Sequence, residues 1–319
     1  MLLDFAAYIG LLILICIGLA KSADLVEAAL VFLCNEFGIN QFIAGFFILS
    51  LASSLPEIML MFTSAGTQAA ALSAGNLLGG IIILLTLVVG IDVIRYKRIP
   101  FKGHFGLKQL FLALLVLLTS LVCLLDGSVS AIEGLIMLGT YSIYMFYLIV
   151  FEMHKFKHQP HTLATIDRQD TVKRILKAML GLILLLVLAR LAVDVAVKTG
   201  EMAMIPKSII GLIVLALGTN LPEITIALRS SKESRSLAIG NVFGSATINA
   251  AILGVLGLIS PFTIGNGSLI PAIVLIAIII LYLAIAAMTG AEIRRKEAIF
   301  LFGLYGLMIV VEFGLLVIG

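Results

Sequence analysis

Glu57 follows 20 residues without a charge (37–56) and precedes 34 more (58–91). Glu223 follows 15 uncharged residues (208–222), and the next charge, Arg229, comes six positions later. A carboxylate in so apolar a setting is costly, about 2.5–3.5 kcal/mol at bilayer depth on insertion scales. It persists there by meeting a cation or taking a proton. Both glutamates follow a proline, in Ser53-Ser54-Leu55-Pro56-Glu57 and in Thr219-Asn220-Leu221-Pro222-Glu223. Proline has no N–H, and its ring clashes with the carbonyl four residues back. This frees the carbonyls of Ala52 and Gly218. Ser53 and Thr219 stand four residues before the glutamates and so share their helix face. Two carboxylates, two hydroxyls and freed carbonyls make an all-oxygen shell. Such a shell suits Ca²⁺, which accepts irregular oxygen cages, better than Mg²⁺, which gives up its water reluctantly. Two carboxylates balance one dication or two monovalent ions, which suggests competition for one site.

Further oxygens lie downstream. Gly75-Asn76 and Gly240-Asn241 are expected to open the next helices, with the asparagines capping or bracing the breaks. Gly79 and Gly244 allow helices to approach closely. Ser245 and Asn249 are four apart on one helix face and can add oxygens, whereas the corresponding Gly80 and Leu84 cannot do so with side chains. The remaining acids have plainer readings. Asp24 and Glu27 follow Lys21, and Asp194 follows Arg190, as local ion pairs. Asp92 and Asp126 end helices. Glu133 and Glu312 have no counterpart in the other half.

These residues must be held by membrane elements. Of 319 residues, 61% are hydrophobic and 12% charged, half the charge of a usual soluble domain at about 25%. That excludes a soluble enzyme, a disordered chain and a nucleic-acid binder. The apolar runs predict helices near 4–33, 39–65, 71–92, 106–125, 129–151, 174–199, 206–229, 236–258, 269–289 and 297–318. A span takes about 20 residues, so the chain holds ten spans and loops but no separate soluble domain. The expected fold is an all-α polytopic membrane protein with ten transmembrane helices.

The basic residues sort by side. Seventeen of the 21 lie in the connections after the third, fifth, seventh and ninth helices: Arg95, Lys97, Arg98, Lys102 and Lys108; Lys155, Lys157, Arg168, Lys173, Arg174 and Lys177; Arg229, Lys232 and Arg235; Arg294, Arg295 and Lys296. The opposite side has Lys198 and Lys207 alone. The positive-inside rule makes the basic face cytoplasmic, which puts both termini outside, in a plasma (inner) membrane.

The chain also repeats itself. The stretch INQFIAGFFILSLASSLPEIMLMFTSA from Ile39 aligns without gaps with IPKSIIGLIVLALGTNLPEITIALRSS from Ile205 at an offset of 166, and the Gly-Asn motifs align at 165. Glu57 falls in the second predicted helix and Glu223 in the seventh. A unit of five helices is odd, so the second copy enters the membrane from the other side, the inverted arrangement of many secondary transporters. The expected organisation is a first five-helix repeat over 1–152, a cytoplasmic linker over 153–173 and a second repeat over 174–319.

Cys16, Cys34 and Cys123 have no metal-like spacing and read as small core residues. His104, His154, His158 and His161 all fall in polar loops, which argues against a zinc or copper site at membrane depth and against an intramembrane enzyme. Residues 4–20 read as a retained helix, since no basic segment precedes them. No cofactor, nucleic acid or protein partner is indicated; the partners are inorganic cations and the lipid bilayer.

On the motifs Gly218-Thr219-Asn220-Leu221-Pro222-Glu223 and Gly240–Ser245, with the weaker Ser53–Glu57 and Gly75–Gly79, the chain resembles the sodium/calcium exchanger family of the cation/calcium antiporter superfamily. The resemblance spans nearly the whole chain. It implies exchange of Ca²⁺ for Na⁺ by alternating access, with the first and sixth helices rocking against the rest. It implies that Glu57 and Glu223 bind both ions, that Ser53 and Thr219 are ligands, that the carbonyls of Ser50 and Ala216 help, and that Ser245 completes an outer Na⁺ site. The chain departs from the family pattern at Gly80 (usually Ser), Leu84 (usually Asn), Asn249 (often Asp) and Ser53 (usually Thr). The departures imply a weaker inner Na⁺ site and a neutral Leu84–Asn249 pair. Two other readings stand beside this one: a proton-coupled or otherwise altered cation exchanger, and a cation-binding membrane protein that does not transport.

Overall fold

The computed structural model describes residues 2–37, 41–65, 70–100, 106–152, 168–202, 216–231, 234–263, 270–290 and 292–318. Most of the expected linker, the four histidines, Lys207 and the first part of the seventh predicted helix lie outside the described residues, as do the side chains of Cys16, Glu27, Arg190 and Glu312.

Apolar runs fold into helices because a helix satisfies its own backbone groups where no water can. The first is α1, Leu2–Phe37. Next come α2, Gln41–Ser53, and α3, Leu55–Ser64, separated by Ser54 and bent by 43°. Helix α4 covers 70–96, with a wide π-helical turn at Leu84–Val88. Then follow α5, Leu107–Cys123, and α6 over 131–152. In the second half, α7 is Arg168–Met202, α8 Ala216–Thr219 and α9 Leu221–Arg229. Last come α10, Arg235–Ile259, α11, Ile270–Gly290, and α12, Arg295–Ile318. Helix α7 starts six residues before the predicted 174, within the expected linker.

Among the described residues, four stretches are long and apolar enough to cross a bilayer alone: Ser73–Tyr96, Ala131–Val150, Arg235–Ile259 and Ile270–Thr289. The bent pair α2–α3 makes a fifth if it is one span. Helices α4 and α10 are the centre, each with 83% of its apolar window buried, against 22% for α6. The outer helices turn Leu115, Ile132, Ile143, Phe146, Leu281 and Met288 outward. That apolar surface is what a protein solvated by lipid presents.

A glycine seam joins α2 to α10. Gly240 faces the carbonyl of Phe42, Gly244 faces Ser50 and the carbonyl of Phe46, and Gly45 faces the carbonyl of Leu237. No side chain fits at these points, so the two backbones approach closely, as small residues four apart permit. A π-helical stretch at Ala44–Leu49 widens α2 opposite this seam.

Two short antiparallel ribbons tie the halves together. Strand β1, Arg98–Pro100, pairs with β4, Glu292–Arg294. Strand β2, Ser128–Val129, pairs with β3, Phe262–Thr263. Three of the basic connections meet at the β1–β4 end. Arg95 donates to the carbonyls of Leu228 and Ser230, and the Tyr96 hydroxyl lies 2.6 Å from Ser230 Oγ. Arg235 packs 5.0 Å above the Tyr96 ring, and Arg98 and Arg294 both reach Glu292.

Two apolar cores are distinct. The larger is built on α4, α5, α10 and α11. The smaller joins Ile15, Leu19, Val26 and Leu30 of α1 to Leu182, Leu188 and Val195 of α7, and takes in Ala44 and Leu49 of α2, Ile226 of α9, and Leu237 and Ala238 of α10. Helices α1 and α7 thus form a pair that rests on the larger body. Asp24 of α1 pairs with Arg229 at the end of α9 and not with nearby Lys21, as the spacing suggested. Glu133 serves structure: it closes a capping box with Ser130 at the start of α6.

Candidate cation site

The two proline breaks are near copies. Ser54 has φ −86° and ψ 5°, and Asn220 has φ −91° and ψ 10°. In each case one residue leaves the helical region, and proline starts a new half-helix with the glutamate in its first turn. There the half-helix dipole favours negative charge. The half-helices have 10 and 9 residues, so the change of offset from 166 to 165 falls at this point. Both end alike: Ala65 N–H donates to Met61 and Ser230 N–H to Ile226. The carbonyls of Ser50 and Ala216, at matched positions before the breaks, accept from Ser54 N–H and Asn220 N–H.

The structure brings the two motifs together deep in the protein. Glu57 and Glu223 are 2% and 1% exposed, and Ser53, Thr219, Ser245 and Asn249 are buried beside the chain's centre. The two carboxylates lie within electrostatic reach of each other. Their hydroxyl partners are crossed. Thr219 lies beside Glu57, and Ser53 beside Glu223. Ser245 Oγ donates to Glu223 Oε1 at 3.1 Å. Spacing within one helix placed each hydroxyl with its own glutamate; the fold also brings it near the other half's.

The Gly-Asn motifs are crossed as well. Ser53 Oγ stands 3.4 Å from Asn241 Oδ1, and Thr219 Oγ1 stands 3.3 Å from Asn76 Oδ1. These asparagines lie inside α10 and α4, not at the helix starts where they were expected, because both helices begin several residues earlier. They brace the break of the opposite half. Asn220 had drawn no attention in the sequence, though its counterpart Ser54 is also polar and also precedes the Leu-Pro pair. Its Nδ2 donates to the carbonyl of Ala216 at 2.8 Å and stands 3.4 Å from Thr219 Oγ1. Asn249 lies near Gly80: a Cβ on Gly80 would meet Asn249 Nδ2 at 2.7 Å and Asn220 Nδ2 at 2.9 Å. The Ser50 hydroxyl turns back to the carbonyl of Phe46, so only its carbonyl faces the break.

The spacing of these oxygens has a chemical meaning. Ser53 Oγ lies 3.3–3.4 Å from Ser50 O, Asn241 Oδ1 and Ser245 Oγ. Hydroxyl hydrogen bonds between oxygens centre at about 2.7–2.8 Å, and one hydroxyl proton cannot serve three acceptors. Oxygens that sit about 2.3–2.6 Å from a shared Ca²⁺ stand roughly 3.3–3.7 Å apart along the edges of an octahedron, whereas a Mg²⁺ cage needs about 2.9 Å. Glu57 Oε2, Glu223 Oε2, Asn220 Oδ1 and Asn249 Oδ1 are buried with no hydrogen-bond partner among the described residues. These unpaired oxygens are hard donors, and the amide nitrogens of Asn76, Asn241 and Asn249 beside them are unpaired as well among the described residues.

Residues 7–150 and 174–314 match the family of sodium/calcium exchanger proteins. The chain is 29% identical to the inner membrane protein YrbG of Escherichia coli (strain K12), over 79% of this chain and 78% of that one. It is 25% identical to the sodium/calcium exchanger MaX1 of Methanosarcina acetivorans, over 92% of this chain and 95% of that one. Its fold matches that of the sodium-calcium exchanger NCX_Mj, soaked with Na⁺ and Sr²⁺, at a TM-score of 0.79 and 26% identity, covering 95% of this chain and 97% of that one. With its apolar outer surface and a family match across both halves, this integral membrane protein belongs to the sodium/calcium exchanger family.

Proposed function

We propose that the protein is a secondary active antiporter that exchanges Ca²⁺ for Na⁺ by alternating access. The observation that carries this is the crossed oxygen shell, in which Ser53 and Thr219 each link one motif to the opposite half. Glu57 and Glu223 supply the charge, with Ser53, Thr219, Ser245 and the carbonyls of Ser50 and Ala216 as neutral ligands and Asn249 at the margin. Ca²⁺ and Na⁺ have nearly the same ionic radius, so one cage can hold either. The names of MaX1 and NCX_Mj support this choice of ions.

In this reading the chain has ten spans in two inverted five-helix repeats, 1–152 and 174–319, with both termini outside. The ribbons support the inversion. Helix α4 ends at the β1–β4 ribbon and its counterpart α10 at the β2–β3 ribbon. The grouping of Arg95, Arg98, Arg229 and Arg294 near one end supports a cytoplasmic face there. The packing of α1 on α7, in a cluster distinct from the larger core, supports rocking of that pair against the rest, which exposes the site to each side in turn.

The test is Na⁺-gradient-driven uptake of radiolabelled Ca²⁺ into proteoliposomes. Uptake is expected in the wild type and absent in Glu57→Gln. Uptake untouched by that substitution would overturn the site assignment. Uptake driven by a pH gradient and indifferent to Na⁺ would replace the exchange reading with a proton-coupled one.

A further inference from the structure

We infer that Asp92, Arg95 and Tyr96, at the end of α4, are positioning residues for the cation site: they clasp the far end of the Glu223 half-helix and thereby set how tightly the site holds Ca²⁺. This rests on the site proposed above, with Glu223 as a ligand, and not on the transport step.

The last carbonyls of a helix have no partner within it, and a base placed there also meets the negative end of the helix dipole. Helix α9 ends on such a base, and the base comes from the other half of the chain. Arg95 donates through Nη1 to the carbonyl of Leu228 and through Nη2 to that of Ser230, the latter at 2.7 Å. The Tyr96 hydroxyl stands 2.9 Å from the carbonyls of Ser230 and Ser231, and Ser230 Oγ, at 2.6 Å, can donate to it in return. The turn that follows is closed on itself. Ser231 N–H donates to Ser234 Oγ at 2.7 Å, and Ser234 N–H to Ser231 Oγ at 3.2 Å. Helix α10 then starts with Arg235, whose guanidinium lies 5.0 Å above the Tyr96 ring. The end of α4 therefore grips the end of α9 and the start of α10 together.

Asp92 lies beneath this grip, one turn before Tyr96. It is buried, and Arg235 and Arg95 are within reach of its charge. Its Oδ1 has no hydrogen-bond partner among the described residues, and neither have Nε and Nη2 of Arg235. A buried acid is retained where opposite charge offsets it. Here the two bases that do so are the two that hold the turn.

The repeat holds no matching device. Residues 236–291 contain no charge, so the end of α10, counterpart of the end of α4, has no base to place on the end of α3. What the clasp holds bears directly on the site. Helix α9 has nine residues, and Glu223 stands about 9 Å from Arg229 along it. So short a helix moves as one body, and a shift at Ser230 arrives at the carboxylate. Helix α10 brings Asn241 and Ser245 to the same place. With the clasp intact, the Glu223 side of the shell is assembled before an ion arrives. With it released, the shell is assembled part of the time, and the apparent affinity falls by that fraction. A bound ion reassembles the shell, so the rate at saturation is kept.

The experiment measures equilibrium binding of radiolabelled Ca²⁺ to the purified full chain in detergent, alongside the Ca²⁺ dependence of uptake into proteoliposomes. Arg95→Gln removes charge-assisted bonds and should weaken binding about tenfold. Tyr96→Phe keeps the ring under Arg235, loses the hydroxyl alone, and should weaken binding about fivefold. Half-saturating Ca²⁺ for uptake should rise by the same factors, with the maximal rate within about twofold of the wild type. Arg98→Gln, at an exposed neighbour that pairs with Glu292, should bind as the wild type does; an equal loss there would overturn the inference. Tyr96→Phe carries the test should Arg95→Gln not fold. Binding by Tyr96→Phe within about twofold of the wild type overturns the inference. So does a fall in maximal rate at unchanged half-saturation, which is what a merely structural contact would give. Weakened binding in the variants of a wild type that shows no Na⁺-driven uptake overturns the exchange and leaves the clasp. A wild type that binds no Ca²⁺ overturns the site, and the clasp with it.

Discussion

Gly240→Ala tests whether the glycine seam positions the site. The added methyl carbon would lie 2.2 Å from the carbonyl oxygen of Phe42 and 3.0 Å from the nitrogen of Phe46. Carbon–oxygen contacts settle at about 3.3–3.6 Å, so α10 must retreat from α2 by about 1 Å. The obstacle is backbone, and a rotamer change cannot relieve it. Asn241 is the next residue on α10, and Ser245 lies little more than a turn further. Both now stand 3.4 Å from Ser53. A retreat of about 1 Å opens those contacts beyond any shared ligand shell. Overpacking of this kind costs about 1–3 kcal/mol in stability, and a misplacement of that size costs about a hundredfold in a positioned reaction. The expected outcome is folded protein with a lower unfolding temperature in detergent and Ca²⁺ uptake reduced about a hundredfold per folded molecule. Gly139→Ala and Gly306→Ala are the controls, since a Cβ at either meets nothing within 4 Å. Their uptake should match the wild type. Gly80→Ala should fall between, because the atoms it meets are side-chain ends that can swing aside. If Gly240→Ala transports within about twofold of the Gly306→Ala control, where the hundredfold misplacement cost should apply, the seam does not hold the site in register.

Ser245→Ala removes a hydroxyl bonded to Glu223. Hydrogen bonds to charged groups contribute about 1.5–3 kcal/mol, so the Na⁺ concentration for half-maximal exchange should rise by one to two orders of magnitude. An unchanged Na⁺ titration would remove Ser245 from the shell. Asp24→Asn breaks a pair whose side chains are 50% and 39% exposed, and exposed pairs contribute about 1 kcal/mol or less. Uptake should change by no more than about fivefold, and a complete loss would mean that the pair gates the site. Cys34 and Cys123 are free thiols, so uptake should be the same with and without reductant; loss under reducing conditions would contradict their role as packing residues.

Much of this arrangement was legible in the residues, and the reason is local. Bilayer depth, proline and charge sorting act on neighbouring positions, so Glu57, Glu223 and both breaks could be located from spacing alone. Among the described residues the helices followed to within a few residues, apart from α1, α7 and α4, which run further; the start of the seventh predicted helix lies outside those residues. The crossing of the halves was not legible. Ser53 and Glu57 share a helix face by an intrahelical rule, and nothing in that rule says whether the hydroxyl also serves Glu223. That depends on how far α2 sits from α10, which the seam at Gly45, Gly240 and Gly244 decides through backbone contact. The same holds for Asp24, whose partner Arg229 is 205 residues away.

In the exchange proposed above, the crossing also lets the site tolerate an incomplete half. If each motif bound its own ion with its own hydroxyl, losing an oxygen at Gly80 would disable one site and leave the other untouched. Here Thr219 meets Asn76, Ser53 meets Asn241 and Ser245, and the two carboxylates sense one another. Each glutamate is thus supported from the opposite half. The Glu57 half keeps the hydroxyl of Thr219 even though its own helix α4 supplies none at Gly80. By the same argument, Thr219→Ala should damage the Glu57 half more than Ser53→Ala damages the Glu223 half, where Ser245 remains. Without Ser53, Glu223 keeps the bonded hydroxyl of Ser245, whereas without Thr219 no such hydroxyl stands beside Glu57 among the described residues, a difference of about 1–3 kcal/mol at most. The comparison is made by Ca²⁺ uptake of the two variants side by side, and equal losses would show that the halves do not differ in this way.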